Sequence, residues 1–512
     1  MSDRTGNTRY PNDRNSNRRN RSGARGTGAR QGGRPRISGA RIVAYDVLRD
    51  VVDRDAYANL ALAARIREAK LDPRDAALAT ELAAGTLRSL GRIDRIIEIA
   101  ADRQASDIDG RTLNVLRLGA HQLLSMRTAT HAAVNESVEL QRRVANERAA
   151  GFVNGVLREI SRSTPESWEQ KIIERAVSAD DALAATSSHP AWVVRALRDA
   201  LRSEGREDEL PDLLAADNDA PRVNLALLQG AGMTPEELAA VEPDAFVESG
   251  ISVLGLELSG GDPGRAITRA EDEAGIPAGL LRVQDQGSQV AAMALVKAKE
   301  VSPGERWLDL CAGPGGKTAV LGAEAIIAGA SVRANEVSEH RAELVRASLA
   351  GVNELAGEHQ IEVVSHDGRE HEAYGDGADA HEQFDRILVD APCSGLGALR
   401  RRPEARWRKQ PSDLPELTAL QGELLDAAVQ HLAPGGVLAY VTCSPHLAET
   451  RVTVDRLLKR HPGLRELDAA AAVRQATRDG DALDLGGDHL SAQLWPHRHG
   501  TDAMFISLFS ID

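Results

Sequence analysis

Short apolar runs that alternate with helical stretches mark the C-terminal part of the chain, from residue 281 onwards. The stretches near 317–328, 338–350 and 414–432 have the spacing of helices. Alternation of strands and helices throughout this region predicts a largely parallel sheet with helices on both faces, a Rossmann-like α/β domain. The apolar runs, each a predicted strand, are 307–310, 330–334, 361–364, 386–389 and 437–441.

A helical period dominates residues 37–162. Apolar side chains recur there at spacings of three and four residues, as expected for the buried face of a helix. The pattern predicts a compact all-α domain, and periodicity alone allows any helix bundle. One such face comprises Phe152, Val153, Val156, Leu157 and Ile160.

Residues 163–280 have a mixed pattern. Four prolines between residues 190 and 235 interrupt short helices, and residues 222–228 alternate like a strand. We therefore expect a small α/β linker domain between the helical domain and a C-terminal domain of residues 281–512. Three domains agree with a length of 512 residues.

Charge separates residues 1–36 from the rest of the chain. Ten arginines and two aspartates give this segment a net charge of +8, which leaves −22 for the remainder of a chain whose total is −14. The segment has almost nothing to bury, so we expect a disordered basic tail. Such a tail suits weak, salt-dependent contact with RNA phosphates, and the alternative is a solubilising tail on an acidic protein.

Composition limits the class of protein. With no apolar run of 18 residues and no apolar leader, we expect a cytoplasmic protein that neither enters a membrane nor is secreted. Cys311, Cys393 and Cys443 form no CxxC pair, which indicates a reducing compartment and disfavours zinc. We expect no metal and a monomeric protein.

Ligands of parallel α/β sheets bind outside the carboxyl ends of the strands, and a glycine loop follows the first predicted strand here. A phosphate-binding P-loop would need glycine at Cys311, and a GxGxxG loop would need glycine at Thr318. The loop therefore suits a nucleoside rather than a pyrophosphate. Its residues are Cys311, Ala312, Gly313, Pro314, Gly315, Gly316 and Lys317.

Acids and cysteines follow the other predicted strands. Glu336 ends the second strand, where an acid commonly binds ribose hydroxyls, and Asp367 follows the third. Asp390 and Cys393 follow the fourth strand, and Cys443 follows the fifth. A buried cysteine is usually a small apolar residue, but all three cysteines of the chain lie at strand ends, which favours a chemical role.

Three motifs together resemble the RNA 5-methylcytosine methyltransferase family: LDLCAGPGGKT, VDAPCSGLGALRRRPEARW and YVTCS, in this order and spacing. The stretches ELAAGTLRSLGRIDRIIE, LRLGAHQLL and HAAVNESVELQR resemble a NusB-like RNA-binding domain. The combination is similar to the RsmB/Sun (Fmu) branch, which methylates 16S ribosomal RNA. The resemblance covers residues 37–510 and includes VQDQGSQV and LWPHRHGTDAMF.

The resemblance implies a function for each motif. It implies that residues 311–317 bind S-adenosylmethionine with Glu336, Asp367 and Asp390. Cys443 would be the nucleophile that adds to carbon 6 of cytosine, and Cys393 would assist product release. Asp390 would also bond the cytosine ring. Departures from the family pattern are small: CAGPGGK where CAAPGGK is commoner, Glu336 where Asp is usual, and Glu449-Thr450 where Glu-Asn is usual.

Two questions remain open from the sequence. Arginines clustered with Trp407 suit phosphate contact and base stacking, and the alternative is a solvated basic turn with Trp407 in the core. For the function, the alternatives to a 16S ribosomal RNA enzyme are a tRNA cytosine methyltransferase and a non-catalytic NusB-like RNA-binding or transcription factor. The basic cluster comprises Arg400, Arg401, Arg402, Arg406 and Arg408.

Overall fold

The computed structural model describes residues 37–248, 250–356, 361–375, 382–487 and 489–512. The predicted basic tail, residues 1–36, lies outside the described residues. Among the residues that are described, no helix has the length and apolar content that crossing a bilayer requires.

Helices alone make up the N-terminal part of the described chain, as the periodicity predicts. Several begin at side-chain caps: Asp72 and Asp109 accept hydrogen bonds from the backbone of the first turn at 2.8 and 3.0 Å. One π-helical turn, Glu81–Gly85, interrupts the series. The helices are α1 (Gly39–Asp53), α2 (Ala58–Ala69), α3 (Pro73–Thr80), α4 (Thr86–Arg88), α5 (Leu90–Ala101), α6 (Gly110–Leu124), α7 (Thr130–Val144), α8 (Ala150–Ile160), α9 (Pro165–Arg175), α10 (Ala179–Thr186), α11 (Ala191–Ser203) and α12 (Leu210–Ala216).

A four-stranded antiparallel sheet follows the helices, with strand order β2-β3-β1-β4. Its fourth strand lies just beyond residue 280, where the sequence analysis sets a domain boundary, and pairs with the first. The predicted boundaries at 162 and 280 stay predictions. The elements are β1 (Asn224–Leu227), α13 (Pro235–Val241), β2 (Phe246–Glu248), β3 (Gly255–Leu258), α14 (Pro263–Glu273) and β4 (Leu281–Val283).

An eight-stranded sheet organises the C-terminal part. Its elements are α15 (Gln286–Lys297), β5 (Arg306–Asp309), α16 (Gly316–Ala328), β6 (Ser331–Asn335), α17 (Glu339–Ser348), α18 (Ala350–Ala356), β7 (Glu362–Val364), β8 (Phe384–Asp390), α19 (Ala405–Arg408), α20 (Leu414–Gln430), β9 (Leu432–Thr442), α21 (Arg451–Arg460), β10 (Leu464–Leu467), α22 (Ala469–Gln475), β11 (Ala492–Leu494), α23 (Pro496–His499) and β12 (Met504–Ile511). The strand order is β10-β12-β9-β8-β5-β6-β7, and β11 pairs with β12.

The five predicted strands correspond to β5 to β9, and all of them pair in parallel. The three remaining strands, β10, β11 and β12, are antiparallel and were not predicted. Helices cover both faces, as the alternation predicts. Side chains of β9 alternate between two apolar cores, Ala439 facing α15 and α16 and Leu438 facing α20 and α21. The fold is therefore a Rossmann-like sheet with an antiparallel edge.

Candidate active site

The carboxyl ends of β5, β6, β8 and β9 bring the sequence motifs to one edge of the sheet. Parallel pairing sets Asp390 of β8 opposite Val441 of β9, so the loops that follow these strands are neighbours. Cys393 and Cys443 lie in those two loops, and their sulfur atoms are 3.5 Å apart. Two residues 50 positions apart in the chain thus form one thiol pair.

The two thiols are electrostatically different. The hydrogen bond from Cys393 lowers the pKa of Cys443, and the charge of nearby Lys317 lowers it further, against burial and the charge of Asp390. The same bond to Cys443, together with burial, raises the pKa of Cys393 well above its usual value. Cys443 is therefore the more acidic thiol of the pair, which makes it the better candidate nucleophile.

Lys317 and Asp390 form an ion pair beside the thiols. The Lys317 Nζ atom donates to Asp390 Oδ2 at 2.7 Å, and the lysine side chain is only 10% exposed. Burial disfavours the charged lysine, but the charge of Asp390 and its hydrogen bond outweigh burial and raise the pKa of Lys317. A fixed positive charge therefore lies next to Cys443.

The glycine loop joins β5 to α16. Gly315 has a φ of +86°, and a Cβ atom there would lie 2.7 Å from Ser348 Oγ, so only glycine fits. The buried Asp309 accepts a hydrogen bond from Thr318 Oγ1 at 2.7 Å, and burial raises its pKa to about 7. Burial and the charges of surrounding acids raise the pKa of Cys311 well above its usual value, so this cysteine stays a neutral thiol.

The two rim acids of the sequence analysis have different surroundings. Glu336 is 3% exposed, accepts from the backbone N–H of Gly313 at 3.1 Å and pairs with Arg341 at 3.2 Å. Asp367 forms an ion pair with Arg369 at 2.6 Å, and Arg369 also pairs with Glu423. Glu336 therefore contacts the glycine loop directly, whereas the carboxylate of Asp367 is bound to its own turn.

Glu449 is a buried acid of this site that the sequence analysis did not select. It is fully buried and accepts hydrogen bonds from the residues that follow the two cysteines, Ser394 and Ser444. In the sequence, Glu449 lies six residues after Cys443 and is one of many glutamates. The sequence signal for Glu449 is that the family pattern also has a glutamate at this position.

A second contact joins the two cysteine loops through glycine. The backbone N–H of Gly397 donates to the carbonyl of Cys443 at 2.9 Å, and its own carbonyl accepts from Ala503 at 2.8 Å. A Cβ atom at Gly397 would lie 2.1 Å from the Ala503 carbonyl oxygen. The loop after Cys393 is thus held between the loop of Cys443 and the start of β12.

The basic cluster after Cys393 packs against other parts of the chain instead of forming an open arginine surface. Glu404 accepts from the backbone of Ala58 at 3.1 Å, and Arg408 donates to the carbonyl of Ala56 at 2.6 Å. Arg406 is fully buried, and Arg402 remains exposed. The interpretation of the whole cluster as a phosphate-binding surface is therefore wrong for Arg406 and Arg408, whose guanidinium groups hold the helices.

Comparisons with known proteins match both halves of the chain. The family described as "16S rRNA methyltransferase RsmB/F" matches residues 296–510, and the NusB family matches residues 38–162. A putative methyltransferase of Mycobacterium tuberculosis is 44% identical over 93% of this chain and 98% of its own length. Ribosomal RNA small subunit methyltransferase B of Pseudomonas putida is 33% identical over 86% of this chain and 93% of its own length.

A solved structure has the same overall fold. The crystal structure of the protein PH0851 superposes with a TM-score of 0.71 at 21% identity, over 92% of this chain and 98% of that one. At this level of identity the likeness concerns the fold.

Proposed function

The chain belongs to the RsmB/F methyltransferase family, and we propose that it forms 5-methylcytosine in 16S ribosomal RNA through a covalent bond between Cys443 and the base. It is an S-adenosylmethionine-dependent RNA methyltransferase of this family. The observation that carries the finer proposal is the thiol pair, with sulfur atoms 3.5 Å apart beside the Lys317–Asp390 ion pair.

The loop of residues 311–317 fits S-adenosylmethionine. The helix that follows it offers unpaired backbone N–H groups, and Glu336 beside the loop suits ribose hydroxyls. The acids Asp309, Asp390 and Glu336 are near enough to the loop to raise the pKa of Cys311, against the charge of Arg341, and such acids suit a cationic sulfonium. In the described part of the chain, the buried Oδ1 atom of Asp309 has no hydrogen-bond partner. We propose residues 311–317, Glu336, Asp367 and Asp390 as the binding site.

The chemistry of the base requires a nucleophile, because carbon 5 of cytosine is itself a poor one. The Cys443 thiolate adds to carbon 6, and the electron pair of the broken double bond makes carbon 5 nucleophilic. Bound S-adenosylmethionine would supply the electrophilic methyl group that carbon 5 takes up; the methyl–sulfur bond would break, its electron pair would stay on sulfur, and S-adenosylhomocysteine would be the second product. Asp390 is suited to bond the ring nitrogen or the amino group of the cytosine as the adduct forms.

Release of the product needs a base. The carbon 5 proton leaves, its electron pair restores the 5,6 double bond, and the bond from carbon 6 to Cys443 breaks. Cys393, or a water that it orients, is the candidate base. Its pKa is raised first of all by its bond to Cys443, and this cause disappears once Cys443 is bound to carbon 6. Burial and the charge of Glu449, which also raise the pKa of Cys393, remain.

Cys393→Ala should therefore trap the enzyme on its substrate. Because release is slowed while addition by Cys443 is retained, we expect a covalent protein–RNA adduct. A denaturing gel with labelled RNA should show a shifted band for Cys393→Ala that is absent from the double variant with Cys443→Ala. An adduct formed by Cys443→Ala instead would reverse the two assignments.

The substrate is proposed to be free 16S RNA or an early assembly intermediate, because enzymes that act on a base need it outside its stack. The helical domain, 37–162, is proposed to recognise a local RNA fold, because phosphate contacts carry no sequence information. The enzyme is proposed to work in the cytoplasm as a monomer, with domain boundaries at residues 162 and 280.

Methyl incorporation into free 16S RNA, mature small subunits and bulk tRNA, measured side by side, tests the substrate. We expect free 16S RNA to be labelled preferentially, with bisulfite sequencing locating the product at carbon 5 of a single cytosine. Preferential labelling of tRNA would contradict the ribosomal substrate and leave the chemistry standing. Product at another atom of the base would contradict the chemistry itself.

A further inference from the structure

One buried carboxylate, that of Glu449, connects the loops of both cysteines. The Oε1 atom accepts from the backbone N–H of Ser394 at 2.7 Å. The Oε2 atom accepts from the hydroxyl groups of Ser394 and Ser444, at 2.5 and 2.7 Å. Ser394 directly follows Cys393, and Ser444 directly follows Cys443. Each thiol is therefore one residue away from a hydrogen bond to the same side chain.

Glu449 is itself held from two directions. The Tyr440 hydroxyl, fully buried in β9, donates to the Glu449 carbonyl at 2.7 Å. Gln421 of α20 donates from Nε2 to Glu449 Oε1 at 3.2 Å and to the carbonyl of Pro392 at 2.9 Å. The carboxylate thus has a fixed position relative to β9 and α20, and the two cysteine loops are fixed relative to it.

We propose that Glu449 is a positioning residue, whose carboxylate holds Cys393 against Cys443 so that Cys393 can act in product release. This inference rests on the proposed function for the release step. Its geometric part, the fixed distance between the two sulfur atoms, does not depend on any reaction with RNA.

Disulfide formation in the free enzyme tests the geometry. Diamide takes two electrons and two protons from a pair of thiols as the sulfur–sulfur bond forms, and mass spectrometry measures the resulting loss of 2 Da. We expect Cys393 and Cys443 to pair rapidly in the parent protein and about tenfold more slowly in Glu449→Gln, since proximity sets the rate. The substitution keeps the side-chain size, but an amide nitrogen accepts no hydrogen bond. Either the two hydroxyl bonds or the bonds from the Ser394 N–H and Gln421 are therefore lost.

Glu305→Gln is the matched control. Glu305 is also buried, and it accepts from Arg386 at 2.7 Å and Trp307 at 2.8 Å, remote in the hydrogen-bond network from either cysteine loop. It should lower stability without changing the rate of disulfide formation. Ser394→Ala, which removes one donor to Glu449, is the milder second variant and should slow disulfide formation by a smaller factor. Equal rates in Glu449→Gln, Ser394→Ala and the parent protein would overturn the proposal.

Trapped adduct is the second readout. Glu449→Gln should accumulate the covalent protein–RNA adduct, as expected for Cys393→Ala, with unchanged affinity for S-adenosylmethionine. The double variant of Glu449→Gln and Cys393→Ala should trap no more than Cys393→Ala alone. An adduct in Cys393→Ala but none in Glu449→Gln would overturn the positioning role alone. No adduct in Cys393→Ala would contradict the release step and, with it, the catalytic part of this inference.

Discussion

Cys443→Ala should lose methyl transfer by a factor of at least about 10³ and still bind S-adenosylmethionine, because removal of a nucleophile abolishes the covalent route. The thiolate lies at the end of β9, whereas the glycine loop follows β5, so the two sites use different strand ends. The measurements are methyl incorporation into RNA and calorimetric titration with S-adenosylmethionine. Activity above a few per cent of the parent protein would contradict the covalent mechanism.

Glu336→Ala is the complementary variant and separates the two sites. In the parent protein, the Glu336 carboxylate accepts a hydrogen bond from the backbone N–H of Gly313, and among the described residues it has no hydrogen bond to either thiol. We expect it to weaken the binding of S-adenosylmethionine by about 1–3 kcal/mol through lost charged hydrogen bonds. At saturating S-adenosylmethionine it should still form the Cys443 adduct with RNA. If both variants lost binding equally, the sites would not be separate.

Arg406→Ala should be the most destabilising substitution in the basic cluster. Arg406 donates to Asn218 Oδ1 at 2.7 Å and to the Asp217 carbonyl at 3.1 Å, and it is fully buried. Burial and the charge of Arg406 lower the pKa of His189 to about 4, so His189 is neutral at neutral pH and Arg406 supplies positive charge near the buried Asp217 side chain. Leaving this carboxylate uncompensated should cost about 3–5 kcal/mol.

Urea-induced unfolding of Arg406→Ala and Arg402→Ala provides the comparison. Arg402 belongs to the same cluster but is exposed, and its guanidinium lies 5.0 Å from the centre of the Tyr57 ring. Its removal should change the free energy of unfolding by no more than about 1 kcal/mol. Equal destabilisation by the two variants would contradict a special role for the buried arginine.

The parallel part of the sheet could be predicted because each strand is a short apolar run bounded by a helix. The antiparallel edge could not, although six of the eight residues of β12, Met504–Ile511, are apolar. Its neighbours β10 and β11 are only four and three residues long, and the helices between these strands, α22 and α23, have only seven and four residues. Pairing β12 with β9 requires contacts between residues some 60 positions apart, Phe505 with Thr442 for example, and such pairing leaves no local signal.

In the candidate site, too, some residues could be predicted from the sequence and others could not. Cys393, Cys443 and Lys317 could be selected because chemistry and strand ends coincide at these positions. For Glu449 the sequence offers only its place in the family pattern, since a glutamate in a turn is usually solvated, and its burial depends on two loops that meet only in the fold. For Arg406 the sequence pattern gave the wrong prediction, because a run of basic residues commonly forms a surface. Here the guanidinium donates to the carbonyl groups of Ser188 and Asp217, and the charge of Asp217 acts on it.

Residues 400–408 connect the helical domain with the loop that follows Cys393, so these two parts of the chain have to change together in evolution. Arg406 lies thirteen positions after Cys393, and within that distance the chain passes from the thiol pair to the contacts with Ala58 and Asn218. A chimaera that exchanged the helical domain between relatives would have to carry this segment with it. Exchange of residues 37–162 alone would replace Ala58 and Ala56, the partners of Glu404 and Arg408, while the loop after Cys393 kept side chains that fit the original partners.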